Sequence, residues 1–316
     1  AAILGLTNIG DKIAMISTTD GGYPFNLKVF GRIRLDLPFD KMNLNIDTSN
    51  IEEYLRNTNP ALVMLGTSFF LFPHPVKEIS KICNELEIPI VYDGSHVLGL
   101  IAGHEFQDPL REGSPILFGN THKSFPGPQS GLLLGSNPEI FRQIADVLEM
   151  QNDTNLFNQN KGTVLVDNYH AHRVAALGVA LAEMKMFGDA YINQMLKNSR
   201  ILARSLHDYG IDMVGSKLGF SASHQIVLNT GGLEEGAKIK DKLEECHILT
   251  DMGGRLSPAE ITRRGMKESE CKYIAELIRD GLVDERSTDL IKHDVHDLLS
   301  EFQTVHYTFS EISEIL

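Results

Sequence analysis

The chain has 316 residues, of which 42% are hydrophobic and 22% are charged, and its formal net charge at pH 7 is -13. This composition excludes a disordered chain and a small disulfide-stapled module, and the acidic balance argues against nucleic acid as the main partner. Three widely separated cysteines do not form a disulfide framework, so we expect a cytoplasmic protein. No apolar run reaches the roughly 18 to 20 residues that cross a bilayer, so we expect no membrane span.

Short apolar segments alternate with amphipathic segments over the first part of the chain, after a helical end before Gly10. Helical spacing of Val76, Ile79 and Ile82 predicts a helix between the second and third of these apolar segments. Such alternation is typical of βαβ units, so we predict an α/β fold with a mostly parallel sheet. The predicted strands are Lys12–Ile16, Ala61–Leu65, Ile88–Tyr92, Pro115–Phe118 and Gly131–Leu134.

The second half of the chain has a different pattern. Helical spacing predicts one long helix from about His172 to His207, and a short apolar run at Gln225–Asn229 predicts a strand. Further helical segments follow, which favours an α+β arrangement. We therefore predict a large domain over residues 1–194 and a smaller C-terminal domain over residues 195–316.

Polar side chains follow three of the predicted strands at the point where each strand ends. Thr67 and Ser68 follow the second strand, Asp93 follows the third, and Thr121 to Lys123 follow the fourth. Doubly wound sheets place their ligand crevice at the carboxyl ends of the strands, so we expect these side chains to share one crevice.

This set of side chains suits an aldehyde cofactor with a ring nitrogen that must stay protonated. A lysine can form an imine, a carboxylate can pair with the ring nitrogen, and hydroxyl groups can hold a phosphate. A carboxylate about 4 Å from the ring nitrogen contributes on the order of 4 kcal/mol at an effective dielectric of 20. That interaction keeps the nitrogen charged near neutral pH, so that the ring can accept electrons from an amino acid substrate. No Cys or His cluster has the spacing of a metal site.

Three motifs resemble those of serine hydroxymethyltransferases, a family of fold type I pyridoxal phosphate enzymes. They occur in the family's order and at fitting separations, and weaker similarity extends over nearly the whole chain. The resemblance implies an aminotransferase-like large domain, a smaller C-terminal domain and a homodimer with active sites shared between subunits. The motifs are YDGSHVLGLIAG at residues 92–103, THKSFPGPQSG at residues 121–131 and RLSPAEITRRG at residues 255–265.

The resemblance implies a set of residues that bind the cofactor. Lys123 would bind pyridoxal phosphate covalently, and Asp93 would pair with the ring nitrogen. His96 would lie beside the phenolic oxygen of the ring. Ser68 would bind the phosphate, and the hydroxyl of Thr121 belongs to the same cofactor-binding set.

The resemblance also implies residues that act on the substrate. His122 would face the substrate hydroxyl or assist proton transfer, and Arg264 would hold the α-carboxylate as a bidentate fork, with Arg263 beside it as a competing assignment. Where the family has a ring-stacking histidine after a Gly-Gly turn, this chain has Tyr23, which we expect to stack on the cofactor.

Other departures from the family bear on its usual partners. The glycine pair through which a neighbouring subunit reaches the phosphate is replaced by the segment Asp167–His170. The connection from Ile248 to Arg255 is short, so the loop that helps to hold folate is missing and tetrahydrofolate dependence is doubtful. We also expect the family's N-terminal segment to be absent, whether because the sequence is a piece of a longer protein or because this member has lost it.

The sequence therefore predicts a pyridoxal phosphate enzyme that acts on the Cα–Cβ bond of small β-hydroxy amino acids, with serine and glycine as the first choice. A folate-independent threonine aldolase or transaldolase uses the same residues and is the first alternative. A non-catalytic paralogue or fragment that serves as a binding or assembly partner is the alternative from another class, and the incomplete N-terminal region motivates it.

Overall fold

A computed structural model of the protein describes residues 1–147, 165 and 170–310. The segment 167–169, part of the region that replaces the family's glycine pair, lies outside the described residues. Within the described part, no helix combines the length and the apolar character needed to cross a membrane.

A six-stranded sheet forms the centre of the fold. Its strand order is β2-β1-β5-β6-β7-β8, and neighbouring strands run parallel except β8, which is antiparallel to β7. Two short two-stranded sheets pair β3 with β4 and β9 with β10. The described strands are β1 Lys12–Met15, β2 Ile33–Asp36, β3 Phe39–Asp40, β4 Asn45–Ile46, β5 Leu62–Leu65, β6 Ile90–Asp93, β7 Ile116–Asn120, β8 Gly131–Gly135, β9 Ile226–Val227 and β10 Arg255–Leu256.

Helices cover both faces of this sheet. One of them, α5, begins where Asn137 accepts hydrogen bonds from the N–H groups of Glu139 and Ile140, with Pro138 in the first turn. The described helices are α1 Ala2–Leu6, α2 Ile51–Thr58, α3 Val76–Glu85, α4 Leu98–Ala102, α5 Pro138–Asp146, α6 Ala171–Asp208, α7 Leu233–Glu245, α8 Ala259–Arg263, α9 Glu268–Leu282 and α10 Thr288–Glu301.

The central strand β5 explains why the sheet is buried on both faces. All four of its residues are apolar and buried. Val63 and Leu65 belong to the apolar cluster that includes α3 and α4, whereas Leu62 and Met64 belong to the cluster that includes α1 and α5. Successive side chains of a strand point to opposite faces, so one short apolar run serves two layers. The predicted α/β fold with a mostly parallel sheet is confirmed.

Helix α6 runs through two apolar cores. Residues up to Leu196 pack in the cluster that contains the main sheet, and residues from Leu202 onward pack with β9, β10, α7 and α9. The change from one core to the other falls inside a continuous helix of 38 residues. A domain division near residue 195 stays a prediction, since no break in the backbone marks it.

The sequence did not predict every element. Strand β2 lies at the edge of the sheet, and its four residues are partly or fully exposed, so they lack the apolar run that identified the other strands. The carboxyl ends of β5, β6 and β7 meet at one edge of the sheet because these three neighbouring strands are parallel.

Candidate active site

A cavity of about 1110 Å³ lies where β5, β6 and β7 end. Its walls also include residues of α1 and the first turn of α6. The predicted crevice at the carboxyl ends of the strands therefore corresponds to a real cavity. Its lining brings together five of the predicted site residues, namely Tyr23, Ser68, Asp93, His96 and Lys123.

The loop after β7 fixes the position of Lys123. The hydroxyl of Thr121 donates hydrogen bonds to the carbonyl oxygens of Pro128 (2.6 Å) and Ser130 (3.2 Å), and the N–H of Gly127 donates to the carbonyl of Thr121 (2.7 Å). Thr121 is buried and holds the loop closed instead of lining the cavity.

A close backbone contact joins this loop to α4. The hydroxyl of Ser124 donates to the carbonyl of His96 at 2.7 Å and accepts from the N–H of Gly99 at 3.1 Å. A Cβ atom on Gly99 would lie 2.7 Å from the backbone nitrogen of Phe125, so a residue without a side chain is required there. The contact couples the loop of Lys123 to the loop of His96.

Asp93 is the last residue of β6 and lines the cavity. Its Oδ1 accepts a hydrogen bond from the N–H of Ser95 at 2.9 Å. Burial raises the pKa of the Asp93 carboxyl above its ordinary value, and its hydrogen bonds with Ser95 and the charge of Lys123 act in the opposite direction. The pKa of the Lys123 amine is lowered, and burial is the largest cause. The charge of Asp93 raises this pKa, whereas the charge of Arg255 lowers it. The cavity thus contains a carboxyl group that holds its proton more readily than an ordinary aspartate, and an amine that loses its proton more readily than an ordinary lysine.

His96 lies between this amine and the C-terminal part of the chain. Its Nε2 is 3.3 Å from Nζ of Lys123, and its Nδ1 is 2.9 Å from Nε2 of Gln225. Burial, followed by the positive charges of Lys123 and Arg255, lowers the pKa of His96 to about 2. The imidazole is therefore neutral at physiological pH.

The loop after β5 brings Ser68 to the cavity. The N–H of Ser68 donates to the carbonyl of Gly21 at 2.8 Å, and the hydroxyl of Thr67 donates to the same carbonyl. Gly66 has a φ of +135°, and a Cβ atom on it would lie 2.7 Å from Cβ of Asp93. This glycine lets the end of β5 approach the end of β6 closely. Tyr23, from the adjoining loop, is 52% exposed and lines the same cavity.

Sequence reasoning missed Arg255, the first residue of the third motif. Its guanidinium donates to the carbonyl of Ser68, pairs with Asp251 at 2.7 Å and lies 5.2 Å from the centre of the Phe69 ring. Its charge is close enough to lower the pKa of both Lys123 and His96. The motif contains three arginines, and spacing alone did not identify the one that approaches the cavity.

The structure does not bring His122 and Arg264 into this cavity. His122 is exposed and absent from the lining. The guanidinium of Arg264 forms an ion pair with Glu260 (3.1 Å) and donates a hydrogen bond to the carbonyl of Phe302 (3.4 Å). Arg264 lines a separate cavity of about 440 Å³ near the end of α10. The reason is that Arg264 directly follows α8 on the side that faces the C-terminal segment.

The beginning of α6 supplies a further cation that the sequence did not single out. Arg173 lines the main cavity together with His170 and Val174. It lies in the first turn of α6, so the signal that could have identified it is an arginine next to the predicted start of a long helix.

The chain is similar to known proteins over almost its whole length. The family model described as serine hydroxymethyltransferase matches residues 26–278. A serine hydroxymethyltransferase of Methanocella arvoryzae is 38% identical, over 98% of this chain and 74% of the relative. One from Methanopyrus kandleri is 39% identical over the same shares of the two chains.

A solved structure is also similar. An L-threonine transaldolase from Pseudomonas fluorescens, crystallised in an internal aldimine state, superposes with a TM-score of 0.86 and 28% identity, over 97% of this chain and 71% of that chain. The motifs, the parallel sheet with its cavity and these similarities agree, and the chain belongs to the serine hydroxymethyltransferase family.

Proposed function

We propose that this protein is a pyridoxal phosphate-dependent enzyme that makes or breaks the Cα–Cβ bond of β-hydroxy amino acids, and that the conversion of serine to glycine is the first choice for its reaction. The observation that carries the proposal is the position of Lys123. Its amine is 3.3 Å from Nε2 of the neutral imidazole of His96 and feels the charge of Asp93, inside a cavity large enough for a cofactor and a small amino acid.

The donor set of the cavity fits pyridoxal phosphate. Lys123 would bind the aldehyde carbon, Asp93 would pair with the ring nitrogen, and His96 would lie beside the phenolic oxygen. Ser68 would bind the phosphate, and the positive charge of Arg173 at the same cavity favours a dianion there. The partly exposed ring of Tyr23 has room to stack on the cofactor.

Asp93 and Lys123 would prepare the cofactor and the amine for the reaction. When bound, the cofactor withdraws electrons from the bond at the α-carbon that is to be broken. The carboxylate of Asp93 would keep the ring nitrogen protonated, since an opposite charge favours the charged form. The neutral form of the Lys123 amine is the nucleophile, and the lowered pKa increases its population near neutral pH.

We propose Arg255, in place of Arg264, as the residue that binds the substrate carboxylate. Its planar group is held over Phe69 and against the carbonyl of Ser68, and Ser68 lines the cofactor cavity. A guanidinium fixed in this way can form two parallel hydrogen bonds with a carboxylate.

A threonine transaldolase or aldolase is the second candidate, and the similarity to the solved transaldolase favours it. The connection before β10 also favours a folate-independent reaction. Asp251 accepts hydrogen bonds from the N–H groups of Gly253 (3.0 Å) and Arg255 (3.1 Å), and the hydroxyl of Thr250 donates to the carbonyl of Arg255 (2.9 Å). This tight turn occupies the region where the family's folate loop is expected, so tetrahydrofolate dependence stays doubtful.

The experiment that separates the two candidates measures glycine formation from serine, with and without tetrahydrofolate, and acetaldehyde release from threonine. If the protein converts serine to glycine as proposed, we expect glycine formation from serine to exceed threonine cleavage and to increase with tetrahydrofolate. Equal threonine cleavage with no response to tetrahydrofolate would establish the aldolase or transaldolase instead. A lack of cofactor absorbance after addition of pyridoxal phosphate would rule out both.

We further propose a cytoplasmic homodimer. The three cysteines are buried and free, as expected in a reducing compartment. The first part of α6 has exposed apolar side chains, including Val174 (50% exposed) and Leu181 (45% exposed), which lie seven residues apart on one helical face. A second copy of the chain would cover this face.

A further inference from the structure

Gln225 contributes a buried amide to the candidate active site from the C-terminal part of the chain. It directly precedes β9 and is 1% exposed. Its backbone N–H donates to the hydroxyl oxygen of Ser223 at 3.0 Å, which fixes the start of the side chain. The amide therefore has a defined position between two loops of the main sheet.

The two ends of this amide have different partners. Oε1 accepts a hydrogen bond from the N–H of Phe70 at 2.7 Å, and Nε2 is 2.9 Å from Nδ1 of His96. A backbone N–H can only donate, so the oxygen of the amide must face Phe70. The NH₂ group must then face His96, and it can only donate.

The direction of this hydrogen bond fixes the proton of His96. Because Nδ1 accepts from Gln225, a neutral ring carries its proton on Nε2. That nitrogen lies 3.3 Å from Nζ of Lys123. An ammonium group has no lone pair to accept this proton, whereas a neutral amine has one. The neutral form of Lys123 is therefore the form that matches this tautomer.

Burial and the neighbouring charges favour the neutral form of His96, and burial favours the neutral form of Lys123. Lys123, Arg255 and His224 all lower the pKa of His96, in addition to its burial. Lys123 itself faces Asp93, which raises the pKa of its amine, and Arg255, which lowers it. A second proton on His96 is thus opposed by burial first and then by the positive charges of Lys123 and Arg255.

We propose that Gln225 is a positioning residue that holds His96 in the tautomer with its proton on Nε2, so that His96 donates towards Lys123 and stabilises the neutral amine. The role in the reaction rests on the proposed function. The tautomer itself is a property of the chain and can be measured without the cofactor.

The test uses the cofactor-free full chain labelled with ¹⁵N-histidine, and long-range ¹H–¹⁵N correlation spectra at pH 7.5. His96 is assigned from the signals that disappear in His96→Asn. We expect a protonated Nε2 and an unprotonated, hydrogen-bonded Nδ1. A proton on Nδ1, or a doubly protonated ring, would overturn the proposal whether or not the enzyme has the proposed activity.

Gln225→Glu reverses the direction of the hydrogen bond because a carboxylate only accepts. We expect the proton of His96 to move to Nδ1, and the pH midpoint for carbamylation of Lys123 by cyanate to rise by about one unit or more. Gln225→Leu tests the contact without adding a charge, and we expect the Nδ1 signal to lose its hydrogen-bond shift. Gln143→Glu, on the exposed surface of α5, is the matched control and leaves both readouts unchanged. An Nε2 tautomer that persists in Gln225→Glu would also overturn the proposal.

Discussion

Nζ of Lys123 lies 3.3 Å from Nε2 of His96, although the two residues belong to loops after different strands. The contact exists because β6 and β7 are parallel neighbours and end at the same edge of the sheet. It places an amine and a neutral imidazole side by side in the cavity that Asp93 also lines, and the reactivity of Lys123 follows from this arrangement.

Lys123 should lose its proton at a lower pH than an ordinary lysine. Burial is the largest cause of its lowered pKa, and the charge of Asp93 opposes the shift. We therefore expect the pH midpoint for carbamylation of Lys123 by cyanate to lie below that of an N-acetyl-lysine amide. Asp93→Asn should lower it further, because the substitution removes the charge that raises the pKa. The measurement is the pH dependence of modification of the peptide that contains Lys123. A midpoint at or above that of the free amide would contradict the expected burial.

Asp93→Asn should stabilise the cofactor-free chain at neutral pH. The pKa of Asp93 is raised in the folded chain, so the folded state binds more protons than the unfolded state between the two pKa values, and stability falls as the pH rises through this window. Asparagine keeps the acceptor for the N–H of Ser95 but carries no charge. We expect a higher melting temperature than the wild type at pH 8 and no such gain at pH 3.

The same variant should bind pyridoxal phosphate more weakly by at least about tenfold, because the ring nitrogen loses its opposite charge. Titration of the cofactor followed by absorbance measures this affinity. Unchanged affinity would remove Asp93 from the cofactor site while leaving the stability result intact.

Arg255→Lys should raise the KM for the amino acid substrate roughly 10- to 100-fold, since a lysine cannot form the bidentate pair with a carboxylate. Arg264→Lys is the matched control, because Arg264 lies in a separate cavity. We expect little change in its KM. Steady-state kinetics with KM and kcat determined separately distinguishes the two. The reverse result would identify Arg264 as the residue that binds the substrate carboxylate, as the resemblance implied.

Gly99→Ala should destabilise the protein by about 1 to 3 kcal/mol, because the new Cβ would overlap the backbone between Ser124 and Phe125. The same displacement moves the loop of Lys123, so we also expect weaker cofactor binding. Gly281→Ala on α9 is the matched control. A Cβ atom there would make only ordinary contacts, the nearest being Sγ of Cys246 at 3.6 Å, and alanine favours a helix by up to about 1 kcal/mol. Urea unfolding of the two variants gives the comparison, and equal stabilities would contradict the close approach at Gly99.

Leu181→Glu should convert the proposed dimer into a monomer. A carboxylate on the exposed apolar face of α6 would have to be desolvated when a second copy covers it. Lys272→Glu, on the exposed side of α9, introduces the same side chain away from this face and should leave the dimer intact. Equilibrium sedimentation measures the mass of both variants. A wild-type chain that sediments as a monomer would contradict the proposed interface.

The parallel sheet and the position of its crevice could be predicted from local sequence patterns. A run such as residues 62–65 is apolar at every position because both faces of the strand are buried, and this burial is written in consecutive residues. The residues that end such runs, Asp93 among them, lie at the crevice because neighbouring strands run parallel and end at the same edge of the sheet. Strand β2 escaped prediction because an exposed edge strand needs no apolar run.

The sequence by itself determined the α/β class, the strands that end at the crevice, and the family motifs that contain Lys123 and Asp93. Only the tertiary structure decided which arginine of the third motif approaches the cavity, that His122 is exposed, and that Gln225 contacts His96 across 129 positions of sequence. The periodicity of apolar residues indicates which face of a helix or strand is buried. It does not report which distant side chain meets it, because that depends on how β9, β10 and α8 pack against the loops of the sheet.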